Sequence, residues 1–321
     1  MDIASVVLNQ LIIMACLIFV GYICSKTKLI SLNGVGQLSN LLLNVVVPCV
    51  ILKSFMIEFN TQKLITFAIA CFFGFLAHFV MLLIASILYK KTNGDEYKVK
   101  RFALIFSNCG FMAIPIISAV LGNEGVFYSS AFLIANNTLT FSYGVFILNS
   151  QEKSTFKSSV IKILLNPAII SVLVGFVIFI CQIPIPGFLS STASFFEGMN
   201  TPLAMVIMGV YICHTNLKKA FGNKKIYLIS FFRLIIAPLI MILSFFLFNL
   251  VFPNILDDKI IIANLIAAAC PCAITTLILS AVYLKDVKCR DLSLFCVVIT
   301  TILSLFTIPL MIFISQKIFG F

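Results

Sequence analysis

Residues 106–115 read Phe106-Ser-Asn-Cys-Gly-Phe-Met-Ala-Ile-Pro115 and lie within a stretch, 102–123, that carries no charge. Gly110 removes side-chain bulk and Pro115 removes an amide donor, so a helix through this stretch is predicted to break near its middle. An unwound segment at membrane depth is stable only when it is buried in protein or lines a wet cavity. The stretch is therefore predicted to be a broken membrane helix, buried in the protein or beside a cavity.

A second stretch has the same character. It reads Ala267-Ala-Ala-Cys-Pro-Cys-Ala-Ile-Thr-Thr276, with Pro271 near its middle and small residues around it. Small residues let two backbones approach closely, so the two broken helices are predicted to cross face to face. A half-helix that begins after a break presents unpaired amides and a partial positive charge. Two such ends aimed at one cavity form an anion site, and a carboxylate is its natural guest.

The charges around these stretches predict a protein that spans the membrane many times. The 321 residues include only 22 Lys and Arg and 11 Asp and Glu, gathered into short clusters between ten apolar stretches. A spanning helix needs about 20 apolar residues, whereas a β-barrel strand needs about ten alternating ones, a pattern that the chain lacks. The fold class is therefore all-α and polytopic. The ten charge-free stretches are 3–25, 29–52, 64–89, 102–123, 125–151, 163–196 (with its helix at 163–181), 198–217, 234–256, 260–284 and 292–316.

The distribution of cations predicts the orientation. With both termini outside, 18 of the 22 cations fall in inner connections, and only Lys53, Lys63, Lys259 and Lys317 lie outside. The positive-inside rule therefore favours this topology in the cytoplasmic membrane. The same segregation accounts for the net charge of +11, so no nucleic-acid partner is predicted. The N-terminus lacks the features of a removable signal peptide, and the first helix is expected to stay.

Five spans precede the connection near residue 150 and five follow it. An odd number of spans per half inverts the second half relative to the first, as in many secondary transporters. Two proline pairs in corresponding spans, Pro48 with Pro202 and Pro115 with Pro271, support the division at nearly equal separations. The chain is thus predicted to comprise two inverted five-helix repeats, 1–150 and 151–321, with proline-broken helices four and nine. Asn44 and Asn200 stand close to Pro48 and Pro202, where a helix break is also predicted.

Four motifs together resemble those of the auxin efflux carrier family, including its bacterial members. They are the run from Ser107 to Pro115, the element Asn44-Val-Val-Val-Pro48, the segment Thr201-Pro-Leu-Ala204 and the proline-broken span nine. The resemblance implies ten helices in inverted repeats with crossed broken helices, similar to bile-acid and sodium/proton carriers. It also implies transport of organic anions, auxins in plants and small carboxylates such as malate or malonate in bacteria. The long cytoplasmic loop of many plant members is missing here.

These arguments predict a carrier whose substrate site lies between spans four and nine. Asn108 is the predicted polar contact, and the amides near Gly110 and at Cys272–Ala273 are the predicted donors. Asn44 and the Thr201-Pro202 region are expected to support or line the cavity. The complete set of predicted substrate-binding residues is Asn44, Pro48, Asn108, Cys109, Gly110, Pro115, Thr201, Pro202, Pro271, Cys272 and Ala273.

Ionisable groups inside the membrane usually mark ion or proton pathways. All eleven acidic residues lie in connections or near span ends, so no buried carboxylate pair is predicted. His78, near the centre of a span, is the candidate for proton coupling, although a packing role is the alternative. His214 is a weaker candidate near the end of span seven. Lys53 and Arg233 each have two interpretations, attracting an incoming anion or extending a long stem to the headgroups.

Two other functions are alternatives to the transport of anions. Cys270-Pro-Cys272 raises transport of a soft metal, because thiolates select Cu(I) or Zn. A non-transporting receptor or sensor is the other alternative. The chain has no GxxxxGK[ST] loop, zinc-binding HExxH motif or Ser/His dyad, so neither an enzyme nor a nucleotide-driven pump is predicted. No cofactor is expected, the partners are a small organic anion and the lipid bilayer, and a homodimer is kept as one possible assembly.

Overall fold

The protein is described here from a computed structural model that covers residues 3–91, 94–149, 161, 164–253, 255–284 and 286–320. Within these residues the regular structure is helical and no strand occurs. A short helix, Leu217–Gly222, lies between the seventh and eighth of the main helices. The main helices are α1 (Ile3–Lys26), α2 (Leu32–Ser54), α3 (Thr61–Leu88), α4 (Glu96–Ile105), α5 (Cys109–Leu148), α6 (Pro167–Cys181), α7 (Gly187–Cys213), α8 (Lys224–Val251), α9 (Asp258–Ala269), α10 (Thr275–Tyr283) and α11 (Val287–Phe319).

Seven of the described helices are long and apolar enough to cross a membrane: α1, α2, α3, α5, α7, α8 and α11. Helix α6 is equally apolar but shorter. The chain is therefore a multi-pass membrane protein, as its sequence predicts. The helices depart from ten simple spans in two ways. Helix α5 is longer than one span requires, and α4, α9 and α10 are shorter than a span.

Polar residues in the connections set where several helices begin. The side chain of Asn60 accepts a hydrogen bond from the amide of Gln62, and Asn166 accepts from the amides of Ala168 and Ile169. Asp257 and Asp286 cap α9 and α11 in the same way. Such caps satisfy amides that the first turn of a helix leaves unpaired.

The helices pack in two groups. The first bundle comprises α1, α2, α6 and α7, in which α1 packs along α7 and α2 packs against α6 and α7. The second bundle comprises α3, α4, α5 and α8 to α11, in which α5 packs against both α3 and α9. The bundles meet where α1, α2, α6 and α7 contact α5 and where α1 and α7 contact α11. Each bundle thus combines helices from both halves of the chain.

The prolines inside the long helices do not break them. Three of these prolines follow a wider, π-helical turn, and Pro202 lies in regular α-helix. Pro48, Pro115 and Pro238 each follow a π-helical turn, Leu42–Val46, Cys109–Ala113 and Phe232–Ile236 respectively. A wider turn accommodates a residue that has no amide to donate and whose ring crowds the preceding carbonyl. Pro202 lies inside the uninterrupted helix α7. The predicted breaks at Pro48 and Pro202 are therefore wrong.

The break in span four also differs from its prediction. It lies at residues 106–108, between α4 and α5, and Pro115 sits within α5. The description of helix four as proline-broken is therefore wrong, because the π-helical turn before Pro115 absorbs that proline. In span nine, the predicted break is confirmed between α9 and α10, with Pro271 inside it. The predicted boundary between the two halves, at residues 150 and 151, lies outside the described residues.

Helix α5 bends sharply at Gly122, whose φ of 63° and ψ of −155° are not helical. Beyond the bend, Oδ1 of Asn136 accepts a hydrogen bond from the amide of Ser107 at 3.2 Å, although 29 residues separate them. A straight helix of that length would span roughly 44 Å. The chain therefore folds back at Gly122, and the second part of α5 lies beside the break in span four.

The ion pairs fall into two groups that match the predicted sides of the membrane. Lys53 pairs with Glu197, and Glu124 pairs with both Lys63 and Lys259, all of which are predicted outside. On the predicted inner side, Glu96 pairs with Lys100 and Lys225. The hydrogen bond from Lys225, followed by that from Lys100, lowers the pKa of the Glu96 carboxyl below its ordinary value.

Candidate functional site

The two helix breaks are hydrogen-bonded to each other. The amide of Asn108 donates to the carbonyl of Pro271 at 2.8 Å, and the amide of Ala273 donates to the carbonyl of Phe106 at 3.0 Å. These two bonds make Ser107 and Cys272 an isolated antiparallel β-bridge. Extended backbone at this position is stable because each break supplies the hydrogen-bonding groups that the other lacks.

This pairing corrects part of the predicted anion site. The amide of Ala273 is used within the bridge, and the amide of Cys272 donates to Oγ1 of Thr300 at 3.0 Å. The predicted donor role of these two amides is therefore not available in this conformation. The first-turn amides around Gly110 are different, because the start of a helix leaves them without intrahelical acceptors.

Arg233 lies behind the paired breaks and is 2% exposed. Its guanidinium donates to the carbonyls of Ile105 at 2.9 Å and Cys270 at 3.2 Å, and also to that of Ala268. These carbonyls belong to the C-terminal end of α4 and to the end of α9 with the residue that follows it. The interpretation in which Arg233 extends its stem to the headgroups is therefore wrong, since this cation is enclosed by backbone, whereas its attraction for an incoming anion stays a prediction.

A cavity of about 400 Å³ lies on the other side of the paired breaks. It extends towards the end of α5, the start of α6 and the end of α10, where Val145, Leu165 and Tyr283 line it. We call it the crossing cavity. None of its lining residues is charged. They include Asn44, Ser107, Asn108, Gly110, Phe111, Asn136, Asn137, Asn166, Ala273, Ile274 and Thr275.

Two residues that line the crossing cavity, Asn108 and Thr275, each have a buried polar atom without a hydrogen-bond partner among the described residues. Nδ2 of Asn108 is buried and has no hydrogen-bond partner in the described protein, and its side chain does not cap α5. Oγ1 of Thr275 is in the same situation at the start of α10. Because buried polar groups are normally paired, two unpaired ones on one cavity wall indicate a place for a polar guest. The N-terminal ends of α5 and α10 add partial positive charge to that wall.

The predicted site residues occupy different positions relative to the crossing cavity. Asn44, Asn108, Gly110 and Ala273 line it. Four others are buried but do not line it: Cys109, Pro115, Pro271 and Cys272. Pro48, Thr201 and Pro202 belong to the first bundle and do not line it either.

Asn44 serves its own helix. Its Nδ2 donates to the carbonyl of Asn40 at 2.9 Å, just before the π-helical turn of α2. A polar side chain here compensates for backbone bonding that the wider turn disturbs.

His78 is buried away from the cavity wall, with 2% of its surface exposed. Its Nδ1 lies 2.7 Å from the carbonyl oxygen of Gly74 and its Nε2 lies 3.1 Å from Oδ1 of Asn136. Asn136 does line the cavity and also accepts the amide of Ser107. The histidine is thus connected to the cavity through one side chain.

The remaining ionisable and soft side chains are engaged locally. Lys53 donates to Glu197 and Ser194, and His214 is hydrogen-bonded to Ser25. The thiol of Cys272 donates to the carbonyl of Ala103. Among the described residues, no group of three or more His, Cys, Asp and Glu side chains is placed to hold a metal ion.

Sequence reasoning missed several polar residues of the cavity: Asn136, Asn137, Asn166 and Thr275. The pair Asn136-Asn137 was a usable signal, because adjacent amides in an apolar span are costly unless they have partners or a function. Asn166 was recognisable as a helix cap before Pro167. The role of Arg233 had no signal in the sequence, since its three acceptors are backbone atoms distant along the chain.

Comparison with known proteins identifies the family. An uncharacterized transporter of Methanocaldococcus jannaschii is 24% identical over 315 residues, which cover 94% of this chain and 97% of the relative. A family model described as membrane transport protein matches residues 6–312. This match confirms the resemblance to the auxin efflux carriers that the sequence motifs indicate. The chain belongs to this membrane transport protein family.

Proposed function

We propose that the protein is a secondary transporter of small organic anions such as carboxylates or auxin-like acids. The observation that carries this proposal is Asn108, which lines the crossing cavity and whose buried Nδ2 has no hydrogen-bond partner among the described residues. A carboxylate accepts hydrogen bonds from such a donor and is favoured near the helix ends at Gly110 and Thr275. The cavity volume of about 400 Å³ suits a small organic molecule.

Charge balance supports an anion. Arg233 is a permanent cation in the protein interior, and no described carboxylate pairs with it. A charge near the centre of a membrane costs about 2.5–3.5 kcal/mol or more on insertion scales. A negative guest on the other side of the paired breaks offsets part of that cost.

The proposed architecture has ten spans in two inverted repeats. Helix α4 together with α5 as far as Gly122 forms span four, and the remainder of α5 forms span five. Helix α6 forms span six, and α9 with α10 forms span nine. The pairing of the two breaks is what supports this assignment, because spans four and nine are equivalent positions in the two halves.

In the proposed orientation both termini lie outside the cytoplasmic membrane, and the crossing cavity faces the cytoplasm. The cation distribution supports the orientation. Transport then follows alternating access, in which one bundle moves relative to the other and exposes the site to the opposite side. The contacts of α1, α2 and α6 with α5 form the surface across which this movement takes place.

Reconstituted vesicles test the proposal. A panel of labelled small carboxylates and auxin-like acids is offered to vesicles with the wild type, Asn108→Ala or Asn40→Ala. Loss of one hydrogen bond to a charged group costs about 1.5–3 kcal/mol, so Asn108→Ala is expected to weaken apparent affinity by roughly tenfold or more. Asn40 is exposed on α2 and serves as the control. Equal uptake of an anion by wild type and Asn108→Ala would remove Asn108 from the site, and uptake of no panel member would contradict the anion proposal.

A further inference from the structure

The surroundings of Arg233 have a feature that anion binding alone does not require. Three backbone carbonyls, of Ile105, Ala268 and Cys270, converge on a single guanidinium. They come from the C-terminal ends of two different half-helices, α4 and α9. Each such end carries a partial negative charge and carbonyls without intrahelical donors.

In secondary transporters, unwound carbonyls and the C-terminal ends of half-helices are the groups that hold a coupling Na⁺ or proton. Here those groups are already occupied by a side chain that belongs to the protein. The guanidinium keeps its charge at any physiological pH and offers five donors in a fixed planar arrangement. It therefore satisfies the carbonyls permanently, whereas a bound ion would enter and leave.

The position of Arg233 on its own helix explains how it reaches them. It belongs to the π-helical turn Phe232–Ile236, which precedes Pro238 in α8. A π-helical turn changes the direction of side chains relative to a regular helix and occurs frequently at functional sites. The guanidinium is also beside a void of only about 10 Å³, which it shares with His78 and Ala268. There is thus no room for a hydrated ion while Arg233 is in place.

We propose that Arg233 is a built-in replacement for a coupling cation. Its guanidinium fills the carbonyl-lined position between the ends of α4 and α9, so the protein binds its substrate and moves it without Na⁺ or another alkali cation. Transport without Na⁺ rests on the proposed transport function. The filling of the carbonyl-lined position by Arg233 does not rest on it, and it predicts that removing the side chain creates a site for an alkali cation.

Thermal unfolding of the purified full-length protein, with no organic substrate present, tests the latent site. The midpoint is measured while NaCl or KCl replaces choline chloride at constant ionic strength, for wild type, Arg233→Ala, Arg233→Lys and Arg101→Ala. Arg101 is the matched control, because its guanidinium also donates to backbone carbonyls, those of Tyr89 and Ser86, away from the paired breaks.

For the wild type, for Arg233→Lys and for Arg101→Ala, the midpoint of each protein is expected not to change between the three salts. Arg233→Ala is expected to unfold at a lower temperature in choline and to regain stability, saturably, with Na⁺ or K⁺; low-millimolar guanidinium, which replaces the missing group itself, is the positive control. A saturable response to Na⁺ or K⁺ in the wild type or in Arg233→Lys overturns the proposal. So does a folded Arg233→Ala that does not respond to the alkali cations, whether or not guanidinium restores its stability. Since no organic anion is present, these results do not depend on whether organic anions are the substrate.

Discussion

The side-chain oxygen of Asn136 lies 3.1 Å from Nε2 of His78 and accepts the amide of Ser107 as well. Because Ser107 donates an N–H, this oxygen is an acceptor for both groups. Nδ1 of His78 also faces an acceptor, the carbonyl of Gly74. The ring thus joins α3 to the paired breaks through Asn136.

The first prediction concerns this connection. His78→Leu leaves Asn136 with one donor fewer and is expected to cost about 1–3 kcal/mol of stability, whereas His78→Gln retains a donor for Asn136 and is expected to retain transport. Uptake and unfolding midpoints of both variants provide the measurement. If His78→Gln instead abolishes the response to an imposed proton gradient, His78 carries the coupling proton and is more than a packing residue.

The second prediction concerns the contact of α1 with α7. A Cβ atom added to Gly209 would lie 2.0 Å from the carbonyl oxygen of Ile18, whereas one added to Gly198 meets nothing within 4 Å. Small residues allow such close backbone contacts in membranes. Gly209→Ala is expected to lower stability by about 1–3 kcal/mol, and Gly198→Ala is expected to have little effect. Equal unfolding midpoints for the two variants would contradict the close packing of these helices.

The third prediction concerns an aromatic cluster formed by Phe55, Phe67, Phe127, Phe176 and Phe179 at the end of the protein opposite the cavity mouth. The ring centroids of Phe55 and Phe127 are 4.9 Å apart, and those of Phe67 and Phe176 are 4.7 Å apart. Phe55, Phe176 and Phe179 belong to the first bundle, and Phe67 and Phe127 belong to the second, so the cluster joins the two bundles.

Phe55→Ala is expected to reduce stability by about 3–5 kcal/mol and to let a membrane-impermeant thiol reagent reach Cys109 from outside. Phe195→Ala, at a side chain that is 80% exposed, is the control. Both variants are compared in a background with the other cysteines replaced. Unchanged labelling of Cys109 in Phe55→Ala would show that the cluster does not close the outer path.

The fourth prediction concerns orientation. Single cysteines at Asp95 and Lys218 are expected to be protected from an impermeant reagent in intact cells, whereas cysteines at Glu58 and Asp258 are expected to react. The positive-inside rule and the grouping of ion pairs are the reasons. Permeabilised cells, in which all four positions should react, provide the control. Labelling of position 95 or 218 from outside would show that the predicted orientation is wrong.

The sequence by itself determined that this protein is helical and crosses the membrane many times. That conclusion depends on the spacing of charges and on the need of each lipid-exposed backbone to bond within its own segment, and both are local properties. The break at Pro271 was also predicted from the sequence, but the same argument was wrong at Pro48 and Pro202, because a lost amide donor does not by itself decide whether a helix breaks. Asn108 and Gly110 line the crossing cavity, and their role in binding substrate stays a prediction.

Only the tertiary structure decided where span four is broken and what surrounds the break. The backbone at 106–108 is not helical because Pro271, Ala273 and Asn136 supply its hydrogen-bond partners, and none of these three residues is near it in sequence. Arg233 is at the centre of the protein because three carbonyls from two other helices meet there. Backbone carbonyls are identical in every residue, so a sequence does not reveal which of them converge on one cation; the packing of the helices does.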